Sequence, residues 1–86
     1  MRFIQLLVTA YCLVGTTFSG VHTHPGVVAV DPRVIPIGTT LAIPGYGRGR
    51  ALDTGSAIRG RRADVWFSSC SRARSWGVRR LRVRVS

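Results

Sequence analysis

Short apolar runs separated by glycine and proline make up most of this chain, and their lengths are typical of β-strands. The last run alternates apolar and basic residues from Leu81 to Val85, which indicates a strand with one face on the core and one in water. The runs predict six strands, over residues 3–10, 27–30, 41–43, 50–52, 63–67 and 80–85.

One short helix is also predicted. Ser68 or Ser69 can serve as its N-cap, residues 71–76 form its body, and Gly77 stands where it ends. Pro32 and Pro36 make residues 31–38 a bent connection. Six short strands and one short helix favour a closed barrel, since closure removes exposed sheet edges. We therefore expect a mostly-β, six-stranded barrel forming a single domain over residues 1–86.

Length and charge limit the possible functions. The chain has 86 residues, with thirteen Arg, no Lys, three Asp and no Glu, and a net charge of +10. This length suits one domain, and no run of about 20 apolar residues is present to span a membrane. The charge favours an anionic partner such as nucleic acid, membrane or cell-wall polymer. We do not expect nucleic acid, because no recognition helix or aromatic platform is recognisable.

The N-terminus and the cysteines each leave two interpretations open. Residues 1–15 are compatible with a short signal peptide, and residues 3–10 are equally compatible with a buried first strand. Cys12 and Cys70 lack metal-ligand spacing, so they are two buried thiols or, outside the cytoplasm, a disulfide with Cα atoms within about 7 Å. His22 and His24 have no third ligand nearby, and we expect neither a metal nor a cofactor.

The three aspartates lie in distinctive segments: Asp31 within residues 30–39, Asp53 within 53–60 and Asp64 within 63–67. Together these segments resemble the 3D domain, a bacterial family named for its three aspartates. The resemblance extends to Thr9-Ala10-Tyr11 and to residues 43–47 and 73–77. It departs from the family pattern at Ser56, where the family usually has Gly, and at Arg59, where it usually has Lys.

This resemblance implies a double-psi β-barrel similar to the catalytic barrel of membrane-bound lytic transglycosylase A and of stationary-phase muralytic proteins. It also implies that residues 1–11 form the first barrel strand, which leaves no clear export signal in this chain. The family implies an extracytoplasmic or cell-wall location. The oligomeric state stays open.

The implied activity is muralytic lytic transglycosylation, in which the bond between N-acetylmuramic acid and N-acetylglucosamine breaks and a 1,6-anhydro sugar forms. The partner is then the glycan strand of peptidoglycan. Asp64 matches the catalytic acid, and its apolar neighbours are suited to raising its pKa. Asp53 matches the second acid. Without the resemblance, a turn-forming Asp53 and an Arg-paired Asp64 would be the commoner roles.

Substrate contacts are expected from the small-residue loop Gly55, Ser56, Ala57 and Ile58, and from Thr9, Tyr11 and Asp31. Core packing is the alternative for Tyr11, and a loop-holding role is the favoured alternative for Asp31. Trp66 and Trp76 are expected in the core. A non-catalytic wall-binding module is the competing function, but binding an anionic polymer does not call for carboxylates.

Overall fold

A computed structural model describes residues 2–86, and its elements follow the predicted pattern closely. The six predicted strands and the one short helix are confirmed. In chain order they are β1 (Arg2–Tyr11), β2 (Val27–Val30), β3 (Thr40–Ile43), β4 (Gly47–Asp53), β5 (Arg62–Trp66), α1 (Cys70–Trp76) and β6 (Arg79–Val85). β4 is longer than predicted because its pairing with β3 continues as far as Gly47, opposite Ile43.

The strands close into a barrel in the order β1-β5-β2-β4-β3-β6. β1 pairs in parallel with β5, and β2 pairs in parallel with β4, while the remaining pairs are antiparallel. β1 is hydrogen-bonded on both sides, so the expectation that it belongs to the barrel is confirmed for residues 2–11. Met1 lies outside the described residues.

The core is set by alternation along the strands. Ile4, Leu6 and Val8 of β1 point inward and are buried, whereas Phe3 before them and Gln5 between Ile4 and Leu6 are exposed. The other buried members of the core cluster are Val28, Val30, Ile35, Leu41, Ile43, Ala51, Ala63, Val65, Trp76 and Val83. Because inward positions are apolar on every strand, the polar positions of neighbouring strands are left together on the outside.

Helix α1 begins after Ser69, whose hydroxyl accepts the Arg72 N–H at 3.2 Å, so Ser69 is the N-cap. It ends at Gly77, whose φ of 67° favours glycine. Trp76 donates its indole N–H to the Val8 carbonyl at 3.1 Å, and Trp66 donates to the Leu13 carbonyl at 2.8 Å. Both indoles are buried, as predicted. With seven residues, α1 is too short to cross a bilayer, and residues 2–86 contain no other helix.

A disulfide joins Cys12 to Cys70, with a Cα–Cα distance of 5.1 Å that agrees with the predicted limit. Cys12 directly follows β1, and Cys70 is the first residue of α1. The bond therefore ties the start of the β1–β2 connection to the helix.

Candidate functional site

Two of the three aspartates belong to one row of residues that crosses four neighbouring strands. Thr9 of β1 pairs with Asp64 of β5, Asp64 pairs with Ala29 of β2, and Ala29 pairs with Asp53 of β4. Neighbouring strands are about 4.8 Å apart, so the two acidic residues are separated by about 10 Å at the backbone. Ala63 and Val65 beside Asp64 point inward, so this row lies on the outer face.

Ala29, whose side chain is a single methyl group, lies between the two acids in this row. It is only 3% exposed, yet it does not belong to the core cluster. A register shift between Val28 and Ala29 brings Ala29 opposite Asp53 at the end of β4. The bulge therefore aligns the second acid with the first, consistent with the use of β-bulges to redirect side chains.

Asp64 is half-buried and accepts a hydrogen bond from the Thr9 hydroxyl, with 3.0 Å between Thr9 Oγ1 and Asp64 Oδ1. Burial raises the pKa of this carboxyl above its ordinary value, and the negative charge of Asp53 adds to the increase. The Thr9 hydrogen bond and the positive charge of Arg62 oppose it, but the net direction is upward. The pKa of Asp64 is thus shifted in the direction that a proton donor requires.

Asp53 is held in place by three donors. The Tyr11 hydroxyl lies 3.1 Å from Oδ2, while the backbone N–H groups of Phe18 and Thr54 donate to Oδ1 at 3.0 and 2.9 Å. Burial raises the pKa of Tyr11 far above its ordinary value, and Asp53 adds to the effect, so the phenol keeps the proton that it donates. The predicted candidates Thr9 and Tyr11 therefore each hold one acid.

Asp31 has a different environment from the other two acids. Its carboxylate forms a two-pronged ion pair with Arg33, with Arg33 Nη2 2.9 Å from Oδ2, and it accepts the Gly60 N–H at 2.8 Å. The Arg33 side chain and the backbone N–H groups of Gly60 and Arg33 hold the pKa of Asp31 well below its usual range. This geometry fits the loop-holding role, and substrate contact by Asp31 stays a prediction.

The predicted substrate loop follows directly after Asp53. Gly55, Ser56 and Ala57 are exposed, whereas Ile58 is buried and contacts Gly55. A cavity of about 240 Å³ is lined by Asp31, Pro32, Arg33, Gly55, Ser56, Ile58 and Arg59. The structure thus brings together four predicted candidates here, next to the row but not in it.

Phe18 is a site residue that sequence reasoning missed. Its N–H binds Asp53, and the N–H of Ser19 donates to the Leu52 carbonyl at 3.1 Å, so this part of the β1–β2 connection is attached to the end of β4. The Phe18 side chain is 70% exposed beside the acid. The contact uses a backbone group 35 residues from Asp53 in sequence, so no residue-type pattern could have indicated it.

A metal site is not apparent in the described part of the chain. Among residues 2–86, no group of three or more His, Cys, Asp or Glu side chains is positioned to hold an ion. The acids instead have hydroxyl, backbone and guanidinium partners.

Fold and site define a small barrel with paired acids on its outer face. The family model for the 3D domain matches residues 26–86, and the chain belongs to this family. Two relatives from Bacillus subtilis (strain 168) are each 43% identical over 75 residues, covering 83% of this chain. They are the cell wall-binding protein YocH and the putative cell wall shaping protein YabE. This chain spans only 26% and 18% of their lengths.

Proposed function

We propose that this domain is a cell-wall lytic transglycosylase that cleaves the bond between N-acetylmuramic acid and N-acetylglucosamine in peptidoglycan. The observation that supports this most is the half-buried Asp64, with its raised pKa, in one row with Asp53. A general acid must hold its proton near the pH at which it works, and burial beside a like charge has that effect. A residue used only for binding an anionic polymer has no need of a raised pKa.

In the proposed reaction, Asp64 acts first as acid and then as base. The Thr9 hydroxyl donates to Oδ1, so we assign the transferable proton to Oδ2. That proton goes to the glycosidic oxygen as its bond to the muramic anomeric carbon breaks. The carboxylate then takes the proton of the muramic 6-hydroxyl, whose oxygen bonds to the anomeric carbon. A 1,6-anhydro sugar forms, Asp64 is protonated again, and no water is consumed.

Asp53, Tyr11 and Phe18 have supporting roles in this proposal. The charge of Asp53 helps to keep the proton on Asp64, and the Tyr11 hydroxyl holds Asp53 in position. The exposed ring of Phe18 is available to stack on a sugar, since aromatic faces suit apolar sugar faces. Gly55, Ser56 and Ala57 offer exposed small residues along which the glycan can lie.

A non-catalytic wall-binding module is the second candidate. It is favoured by the name of YocH, which describes that relative as cell wall-binding. Both candidates imply a location at the cell wall and peptidoglycan as the partner. They differ in whether a covalent bond of the glycan is broken.

Mass spectrometry of purified peptidoglycan incubated with the protein separates the candidates. The enzyme releases anhydro-muropeptides. Reducing-end products would indicate hydrolysis instead, and an unchanged glycan that carries the protein into the pellet would indicate a binder.

The Asp64→Asn variant tests the assigned acid. It keeps size and shape but removes the transferable proton, so we expect anhydro-muropeptide release to fall by about 10²-fold or more. Binding to peptidoglycan and the melting temperature should be retained, and these are the controls for folding. The Asp53→Asn variant should lose less activity and show a shifted pH profile. Release by the Asp64→Asn protein at the parental rate would refute the assignment.

A further inference from the structure

Four arginines form a strip on the outer face of the barrel next to the candidate site. Arg80, Arg82 and Arg84 occupy alternate positions of β6, and the apolar residues between them point toward the core. They pair with Leu7, Gln5 and Phe3 of β1, respectively. On the other side of β1, Leu7 pairs with Arg62 of β5. We name Arg62, Arg80, Arg82 and Arg84 the basic strip.

The basic strip is continuous with the row that carries the candidate acid. Asp64 lies two residues after Arg62, and Thr9 lies two residues after Leu7. Residues two apart on a strand share a face, so the strip and Asp64 are on the same outer surface. A polymer lying along the strip would therefore reach the candidate site.

One end of the strip has an unsatisfied donor. Arg62 Nε is buried and lacks a hydrogen-bond partner among the described residues. The Arg62 side chain also lines a cavity of about 310 Å³, together with Gln5, Leu6, Leu7, Arg61 and Arg80. Leaving a charged donor unbonded is costly, and an oxyanion is the group that the arginine side chains lining this cavity favour. This cavity is therefore suited to a phosphate or carboxylate group.

The remaining arginines of the strip favour a polymer with regularly spaced negative charges. Alternate residues on a strand are about 6.7 Å apart, so Arg80, Arg82 and Arg84 place positive charges at regular intervals. The guanidinium of Arg82 is held 4.2 Å from the centre of the Phe3 ring, which limits its motion. Phosphodiesters joined by short carbon bridges repeat their charge over a similar distance, and arginine binds phosphate in a two-pronged manner.

We propose that the basic strip binds a linear phosphodiester polymer of the cell wall, with one phosphate in the cavity at Arg62 and Arg80. This inference rests on the proposed function and adds a second, anionic component of the wall to the substrate. Single-stranded nucleic acid is less suited, because its affinity depends on stacking of successive bases on aromatic rings. Among the strip and its β1 partners the only ring is Phe3, and the Arg82 guanidinium already lies over one of its faces.

Binding of poly(glycerol phosphate) to the intact domain, measured by calorimetry at several salt concentrations, tests the proposal. The Arg80→Gln/Arg82→Gln variant should bind about tenfold more weakly at low salt. The slope of the logarithm of its binding constant against the logarithm of salt concentration should fall in magnitude by about 1.4, at about 0.7 for each lost phosphate contact. The matched control is Arg72→Gln/Arg74→Gln, which loses the same charge from α1 and should bind like the parent.

Three results would overturn the proposal: equal weakening of binding in both double variants, tighter binding of an oligothymidylate with the same number of phosphates, or tighter binding of polyglutamate. If the strip variant does not fold, amide chemical shifts of the parent protein give an independent answer. Addition of poly(glycerol phosphate) should shift residues of β1 and β6 but not α1, and the reverse pattern would refute the site. Neither measurement depends on glycan cleavage. A result that refutes phosphodiester binding by the basic strip is therefore distinct from one that refutes the proposed transglycosylase activity.

Discussion

The disulfide between Cys12 and Cys70 should supply a large part of the stability of this domain. The two cysteines are 58 residues apart, and the chain-entropy relation for a loop of that length gives about 4 kcal/mol at 25 °C. Measured values are typically about 2–4 kcal/mol. The free energy of unfolding of such a small domain is low, because an 86-residue chain buries a modest share of its surface on folding.

Replacing both cysteines with serine tests this expectation by urea denaturation. With a slope of about 1 kcal/mol per M for a domain of this size, the unfolding midpoint should fall by about 2–4 M. Cys70 is exposed and Cys12 is partly exposed, so little packing is lost in the exchange. A Cys12→Ala/Cys70→Ala variant controls for the introduced hydroxyls. A decrease of less than about 1 kcal/mol in the free energy of unfolding of both variants would show that the disulfide does not stabilise the fold by restricting the unfolded chain.

The other predictions concern the acids. Thr9→Val should raise the pKa of Asp64 further, because the variant lacks the hydroxyl whose hydrogen bond lowers this pKa. Thr9→Ser keeps the hydroxyl and should leave the pKa unchanged. Carbon-detected NMR titration of the Asp64 carboxyl measures the pKa in both variants. Arg62→Gln should also raise the pKa of Asp64 through loss of a nearby positive charge, and an unchanged titration midpoint would contradict this. Asp31→Asn should destabilise the fold at neutral pH. The pKa of Asp31 is lower in the folded than in the unfolded protein. Its contribution to the free energy of unfolding is therefore present above about pH 4 and is lost as the pH falls through the folded pKa. The difference in stability between parent and variant should shrink in acid.

Local patterns in the sequence predicted the number and order of the strands and the helix, but not the full length of β4. Alternation in Leu81–Val85 identified β6, and a serine cap with a terminal glycine identified α1, because both signals depend on neighbours within a few residues. The burial of Trp66 and Trp76 also followed from residue type. The family resemblance directed attention to Asp53 and Asp64, which the residues alone would have assigned to commoner roles.

Tertiary structure alone decided which residues meet. Thr9 and Asp64 are 55 residues apart in sequence, and Tyr11 and Asp53 are 42 apart, yet each pair is hydrogen-bonded. Both meetings depend on the strand order of the closed barrel, and the position of Asp53 depends also on the register shift between β2 and β4. The same strand order places β1 between β5 and β6, so that Leu7 pairs with both Arg62 and Arg80. A strand's own sequence specifies which of its faces is apolar, but its partners and register are chosen by packing of the whole barrel, because only closure buries every apolar face at once.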